Sequence, residues 1–120
     1  MEYLALIYAD EATWERFSNE EREAAYEQYG EFSQAARDAG VLVGGEELGP
    51  TASATTVRVR EGRQLVTDGP YAEAKEALGG YFILDCPSLD DAVTWAARIP
   101  GASHGAVEVR QVYVDEEAMA

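Results

Sequence analysis

Two short apolar runs constrain the fold of this chain more than any other feature. Residues 3–9, YLALIYA, and residues 79–86, GGYFILDC, are almost continuously apolar and lack the polar alternation of a half-exposed strand. Both are short and rich in aromatic and branched residues, so each predicts a central strand that is covered on two faces. A sheet built around them needs helices on one face and a second apolar surface on the other.

Two helical patterns supply the cover for one face. Ser18 and Glu21 form a capping box that begins a helix ending at Gly40, with apolar residues recurring every three or four positions. Ser88 begins a second helix, whose apolar stripe runs to the stop at Pro100. Its predicted buried residues are Leu89, Ala92, Val93, Ala96 and Ile99. Between the first strand and the main helix, residues 10–17 predict a short helical turn capped by an aspartate.

Three further strand regions complete the pattern. Residues 41–48, VLVGGEEL, predict the second strand, in which Gly44 and Gly45 allow a bulge or a close approach of the backbone. The last strand is predicted over 106–114. Residues 55–67, TTVRVREGRQLVT, alternate around a Glu61-Gly62 turn and predict a hairpin arm. Without the arm, the order is strand, helix, strand, strand, helix, strand. We therefore predict an α+β, ferredoxin-like split βαβ sandwich with an inserted β-hairpin arm, paired with a second copy as a dimeric α+β barrel.

The predicted domain covers residues 1–114, and the acidic tail 115–120 is expected to fray. A net charge of −14 argues against binding to nucleic acid or to anionic membranes. No apolar run approaches the roughly 20 residues of a membrane span, and the acidic start is unlike a signal peptide, so we expect a cytoplasmic protein. The single cysteine, Cys86, is expected to be buried and inert.

The sequence contains no phosphate-binding glycine loop, nucleophile elbow or paired-histidine helix, so we expect no cofactor and no metal. The one histidine, His104, stands in a glycine-rich loop, where an exposed side chain is the ordinary outcome. At most one of Glu46 and Glu47 is expected to reach a pocket at the sheet end, because adjacent strand residues point opposite ways. Tyr26, Tyr29 and Phe32 on the main helix are typical of core or dimer-facing aromatics.

Residues 67–80, TDGPYAEAKEALGG, combine a turn with alternating charges. Asp68, Gly69 and Pro70 are turn formers and need no functional explanation. In the functional interpretation, the segment projects a set of side chains toward a cleft, since alternate residues of an extended segment share one side. That set is Asp68, Tyr71, Glu73, Lys75 and Glu76, with Glu73 and Lys75 close enough to pair.

The same segment carries a resemblance. Asp68 to Tyr71 match an Asp-Gly-Pro-aromatic signature, and MEYLALIYADEATW, AGVLVGGEEL, ATTVRVREGR, AEAKEALGGYFIL, AARIPGA and VEVRQV follow the same pattern in order. The chain resembles the YCII-related family, in particular its subgroup with the DGPF signature, over nearly its whole length. The resemblance implies a dimeric α+β barrel.

Members of that subgroup are commonly encoded beside extracytoplasmic-function (ECF) sigma factors, which implies an accessory role in transcriptional regulation. Related proteins carry a His and Asp pair in the cleft between sheet and helix. Here Tyr29 stands eleven residues before Gly40, where that histidine is expected. Tyrosine is ordinarily a poor base at neutral pH, which argues against a histidine-type mechanism.

Three functions stay open from the sequence. The leading hypothesis is a small accessory protein that binds a small molecule in the sheet/helix cleft, or a partner such as an ECF sigma factor. The alternative is a cofactor-independent enzyme acting on a small substrate, for instance an aromatic one. There Asp68 or Glu73 would be the base, Lys75 or Arg110 would hold an anionic group, and Tyr29 and Tyr71 would pack on the substrate. The third is a structural dimerisation module.

Overall fold

The structure, a computed structural model, describes residues 1–114, and the predicted fraying of the acidic tail falls outside this range. Four strands form one antiparallel sheet in the order β2-β5-β1-β6, and β3 with β4 forms a separate hairpin. The order confirms the predicted ferredoxin-like α+β fold. The elements are β1 (Glu2–Ala9), α1 (Glu11–Glu15), α2 (Asn19–Asp38), β2 (Leu42–Glu47), β3 (Thr55–Arg60), β4 (Arg63–Asp68), β5 (Ala77–Asp85), α3 (Leu89–Ala96) and β6 (Ala106–Gln111), with 3-10 turns at Thr51–Ser53 and Pro100–Ser103.

Side-chain caps set the helix boundaries. Ser18 Oγ accepts from the Glu21 amide at 3.1 Å, and Glu21 Oε1 accepts from the Ser18 amide at 3.0 Å, so the predicted capping box is present. Asp10 caps α1, and Gly40, with φ of 72°, ends α2. The prediction for α3 was wrong at its end, since the helix stops at Ala96. Pro100 disfavours helical backbone in the residue before it, and Ile99 is extended.

The core lies between the helices and one face of the sheet. Its fully or nearly fully buried residues are Tyr3, Ala5, Phe32, Ala36, Leu84, Cys86, Ala92, Ala96 and Ile99. The buried thiol of Cys86 confirms the expectation for that residue. Leu89 and Val93 are instead about half exposed. Leu89 is the first residue of α3, and Val93 lies about 100° around the helix from the buried Ala92.

Glycines allow the edge strand β2 to approach β5 closely. The pairing register shifts between Leu42 and Gly44, which confirms the predicted bulge. A Cβ at Gly45 would lie 2.6 Å from the Tyr81 carbonyl oxygen and from Phe82 Cδ1, so no larger residue fits there without moving the strand. The last strand is shorter than predicted: β6 ends at Gln111, whereas the sequence predicted a strand over 106–114.

The second face of the sheet carries no helix. Tyr3 and Ala5 are buried under the helices, so strand alternation turns Leu4 and Leu6 to the other side. The hairpin arm also has an apolar face, where Val57, Val59 and Val66 are more than half exposed. Within residues 1–114, no helix is both long and apolar enough to cross a membrane.

Candidate functional site

A cavity of about 600 Å³ lies between α1, the first half of α2 and the sheet edge formed by β2 and β5. It exists because the residues around its floor are small. Ala25 stands on the helix at a position where a larger side chain would project into the space, and several strand residues nearby have only a hydrogen or a methyl side chain. These small strand residues are Ala9, Gly45, Ala77, Gly79 and Gly80.

Aromatic rings form the walls of this larger cavity. Trp14 and Tyr26 contact edge to face with ring centroids 5.5 Å apart. Tyr29 stacks against Phe82 with ring centroids 6.4 Å apart. Such walls suit a planar apolar ligand, because aromatic faces and edges pack favourably against one another.

Hydrogen bonds fix α1, the short helix that carries Trp14. The Glu11 carboxylate accepts from the Thr51 amide at 3.2 Å and from the Thr51 hydroxyl at 2.6 Å. Arg22 of α2 donates to the carbonyl oxygens of Trp14 and Glu15, and its guanidinium lies 5.7 Å from the Trp14 ring centroid. Contacts from the Thr51 turn and from Arg22 of α2 therefore fix the position of Trp14, which the five-residue helix α1 alone would not do.

The larger cavity is acidic. Within residues 1–114, no basic residue borders it, whereas five carboxylate residues do: Asp10, Glu11, Glu15, Glu46 and Glu47. Glu46 and Glu47 of β2 both border the cavity, but strand alternation turns their side chains to opposite faces, and Glu47 is the one directed toward α2. Glu47 Oε1 accepts from the Tyr26 hydroxyl at 3.1 Å, and desolvation followed by this carboxylate raises the pKa of Tyr26.

Tyr29 separates the larger cavity from a second one and borders both. Burial of the phenol raises its pKa, a hydrogen bond with the Gly101 backbone acts in the opposite sense, and Glu47 raises it further. The phenol therefore stays protonated at neutral pH. A protonated phenol can donate a hydrogen bond to a ligand but cannot act as a base.

The second cavity, of about 360 Å³, lies on the other side of Tyr29. It is bounded by α1, α2, the segment before β5 and the 3-10 turn after α3. Its apolar lining includes Trp14 and Phe17. Its polar lining is mixed: Asp10, Thr13, Gln28, Lys75, Glu76 and His104.

The segment from Asp68 to Glu76 divides between surface and cavity. Asp68 is exposed at the end of β4, and the predicted turn follows it: Gly69 has φ of 107° and donates to the Ala54 carbonyl at 2.7 Å. Tyr71 is 78% exposed, with the Arg58 guanidinium 5.3 Å from its ring centroid.

Farther along this segment, Glu73 is exposed, whereas Lys75 and Glu76 border the second cavity. No ion pair joins Glu73 to Lys75 in the described range. The segment bends at Tyr71 and again at Lys75, so alternate residues do not share one side as the sequence suggested.

Arg110 lies on the sheet face away from both cavities, since Val109 next to it packs on the core. It is close to Tyr8, whose hydroxyl donates to Glu108 Oε1 at 3.3 Å. Desolvation and Glu108 raise the pKa of Tyr8, and the positive charge of Arg110 lowers it. Of the predicted site residues, the fold thus brings Tyr29 and Lys75 together and leaves Asp68, Tyr71, Glu73 and Arg110 elsewhere.

Sequence reasoning missed Trp14, which borders both cavities. The available signal was a large aromatic residue four positions after the predicted cap Asp10, on a helix too short for its own apolar stripe. In the part of the chain that the structure describes, no group of three or more metal-ligating side chains lies together.

The sequence model of the YCII-related domain matches residues 1–115. The chain belongs to the YCII-related family. It is also 38% identical over 112 residues to an uncharacterized protein of Rhizobium meliloti (strain 1021), an alignment that covers 92% of this chain and 90% of that relative. Membership confirms the resemblance at family level, and assignment to the DGPF subgroup stays a prediction.

Proposed function

We propose that this YCII-related protein binds a small organic molecule in the cleft between helix α2 and the sheet. The observation that carries the proposal is the aromatic-walled cavity of about 600 Å³. This volume falls within the roughly 300–1,000 Å³ of ordinary ligand pockets, which are mostly apolar with a few polar groups. The tyrosine hydroxyls and Glu47 provide such groups at the rim of the cavity.

The chemistry of the larger cavity favours an uncharged aromatic body for the ligand. Trp14, Tyr29 and Phe82 offer ring surfaces, and the small residues beneath them leave room for a planar group. Five bordering carboxylate residues without a basic partner would repel an anionic group placed there. The ligand part that occupies this cavity is therefore neutral.

The positions of the candidate bases support binding over catalysis. The enzymatic alternative assigned the base to Asp68 or Glu73, and neither residue borders either cavity. Tyr29 does, but its raised pKa keeps the phenol protonated. A binding role requires none of these groups to exchange a proton with the ligand.

Titration with phenylnaphthylamine, a neutral aromatic dye that fluoresces in apolar sites, tests the proposal. We expect saturable binding to the wild-type protein and its loss in Ala25→Phe, because Ala25 borders both cavities and a phenyl ring there projects into the space that the dye needs. Ala24→Phe is the matched control, since Ala24 is exposed on the same helix. Equal dye binding by the wild type and Ala25→Phe, with both variants folded by circular dichroism, refutes the proposal.

We also propose that the helix-free face of the sheet pairs with a second copy. Leu4, Leu6 and Ile83 of the central strands supply an apolar surface of the kind that subunit interfaces bury. Leu6→Glu should give a monomer in native mass spectrometry. The control Leu89→Glu, on the exposed side of α3, should stay dimeric. A wild-type protein that is monomeric at micromolar concentration refutes this pairing.

An ECF sigma factor as partner and a cytoplasmic location stay predictions that rest on the resemblance and the composition. Both are tested by fractionating cells and purifying the tagged protein from each fraction. Recovery of a sigma factor with the tagged protein would support the first prediction. Recovery of the protein in a membrane or extracellular fraction would contradict the second.

A further inference from the structure

The second cavity brings together two side chains that occur once each in the sequence. Lys75 is the only lysine and His104 the only histidine among 120 residues. Lys75 lies in the segment before β5, and His104 follows the 3-10 turn after α3. The fold places both around the same space of about 360 Å³.

Other hydrogen-bond donors surround this space. Thr13 contributes a hydroxyl and Gln28 an amide group. Tyr29 is protonated, and its hydroxyl donates no hydrogen bond within residues 1–114, so its hydrogen is available to a ligand.

Two carboxylates also border the second cavity. Asp10 Oδ1 accepts from the Ala12 amide at 3.0 Å as the cap of α1, so this carboxylate has a structural partner. Glu76 is exposed, as are Lys75 and His104. We expect Glu76 to weaken the attraction of the site for anions without abolishing it, because solvent screens an exposed charge.

The two cavities adjoin around Tyr29, since five residues border both of them: Ala9, Asp10, Trp14, Ala25 and Tyr29. We propose that the ligand is an aromatic carboxylate, whose ring lies in the larger cavity and whose carboxylate lies between Lys75 and His104 in the second. This inference rests on the proposed binding function and adds the ligand's chemical class. It accounts for a basic pair at one end of a cleft whose other end is acidic.

Two dyes of the same skeleton separate the anionic subsite from the apolar cavity. Anilinonaphthalene sulfonate carries an anionic group in place of a hydrogen of phenylnaphthylamine, and the sulfonate stands in for the carboxylate. For Lys75→Met we expect about three- to fivefold weaker binding of the sulfonate dye, the range for a partly exposed charge contact. Binding of the neutral dye should not change. Adding His104→Asn to Lys75→Met should weaken the binding of the sulfonate dye further and leave the binding of the neutral dye unchanged.

Three control variants sharpen the comparison. Arg63→Met removes the same charge from the exposed hairpin arm and should leave both affinities unchanged. Lys75→Arg keeps the charge and should retain sulfonate binding. Glu76→Gln removes the nearby negative charge and should strengthen sulfonate binding about two- to threefold.

The outcomes distinguish the two proposals. If the neutral dye binds in the Ala25-dependent manner but Lys75→Met and the wild type bind the sulfonate dye equally, the anionic subsite is refuted and the cleft proposal stands. If neither dye binds the wild-type protein, both proposals fall. A selective loss of sulfonate binding in Lys75→Met, absent in Arg63→Met, supports the inference.

Discussion

Gly101→Ala tests whether the position of Tyr29, the residue between the two cavities, is set by steric contact. Gly101 lies in the 3-10 turn after α3, and its φ is not positive, so alanine fits its backbone conformation. A Cβ there would lie 2.7 Å from the Tyr29 hydroxyl oxygen and 3.0 Å from Ile7 Cγ2. Carbon contacts of this kind are comfortable near about 3.5 Å, so the phenol must move by roughly 0.5–1 Å.

The expected cost follows from overpacking. Forcing one methyl group into a packed site destabilises proteins by about 1–3 kcal/mol, which corresponds here to about 4–12 °C in Tm. Urea denaturation at a fixed protein concentration measures the change. Gly30→Ala is the control, for which the free energy of unfolding should change in the opposite direction, since nothing lies within 4 Å of a Cβ at this helix position. That variant should be more stable by about 0.5–1 kcal/mol, because glycine is unfavourable inside a helix.

A double variant identifies the atom responsible. Removing the hydroxyl with Tyr29→Phe leaves the ring carbon Cζ position 4.0 Å from the added Cβ, an ordinary contact. Gly101→Ala should therefore cost at least about 1 kcal/mol less in the Tyr29→Phe background than in the wild type. An equal cost in both backgrounds would show that Ile7 or the turn itself carries the strain, and the assignment to Tyr29 would be wrong.

Three further predictions concern stability and pH. Ser18→Ala should cost about 1 kcal/mol in urea denaturation, since it removes the capping box, and should abolish the lowered pKa of Glu21. That lowered pKa adds stability above the ordinary glutamate pKa, which is lost as pH falls through the folded value, so the wild type should lose more stability than Ser18→Ala on acidification. The raised pKa of Tyr29 predicts the reverse at high pH: stability present below the ordinary tyrosine pKa is lost as pH rises above it, and Tyr29→Phe should lose less between about pH 9 and 11. Gly105→Ala should prevent stable folding or lower Tm by more than 10 °C, about 3 kcal/mol, because its Cβ would overlap the Tyr8 carbonyl oxygen in the central strand; a Tm within a few degrees of the wild type would contradict this.

The sheet and the helix starts were predictable because they depend on local signals. The apolar run around Leu4 and Leu6 has the length and composition of a central strand, and the Ser18 capping box is a four-residue motif. The glycines at 44 and 45 predicted a bulge for the same reason, and at Gly45 only a residue without a Cβ fits against Tyr81 and Phe82.

The site was less predictable because its residues come together through the path of a loop. Turn chemistry predicted the positive φ at Gly69. The direction of the chain after Pro70 depends on later bends, which bring Lys75 to the edge of the second cavity and leave Glu73 away from it. Trp14 stands on a helix of five residues, too short for a periodic pattern to show which side is buried. The convergence of Lys75 and His104 requires the full sheet topology.

Native mass spectrometry of the protein, purified without denaturants, tests the central claim most directly. The account predicts that the wild-type protein retains a small organic adduct, which Ala25→Phe loses and Ala24→Phe keeps. Wild-type protein that is free of any adduct, and that gains none when incubated with an extract of small cellular metabolites, would contradict it.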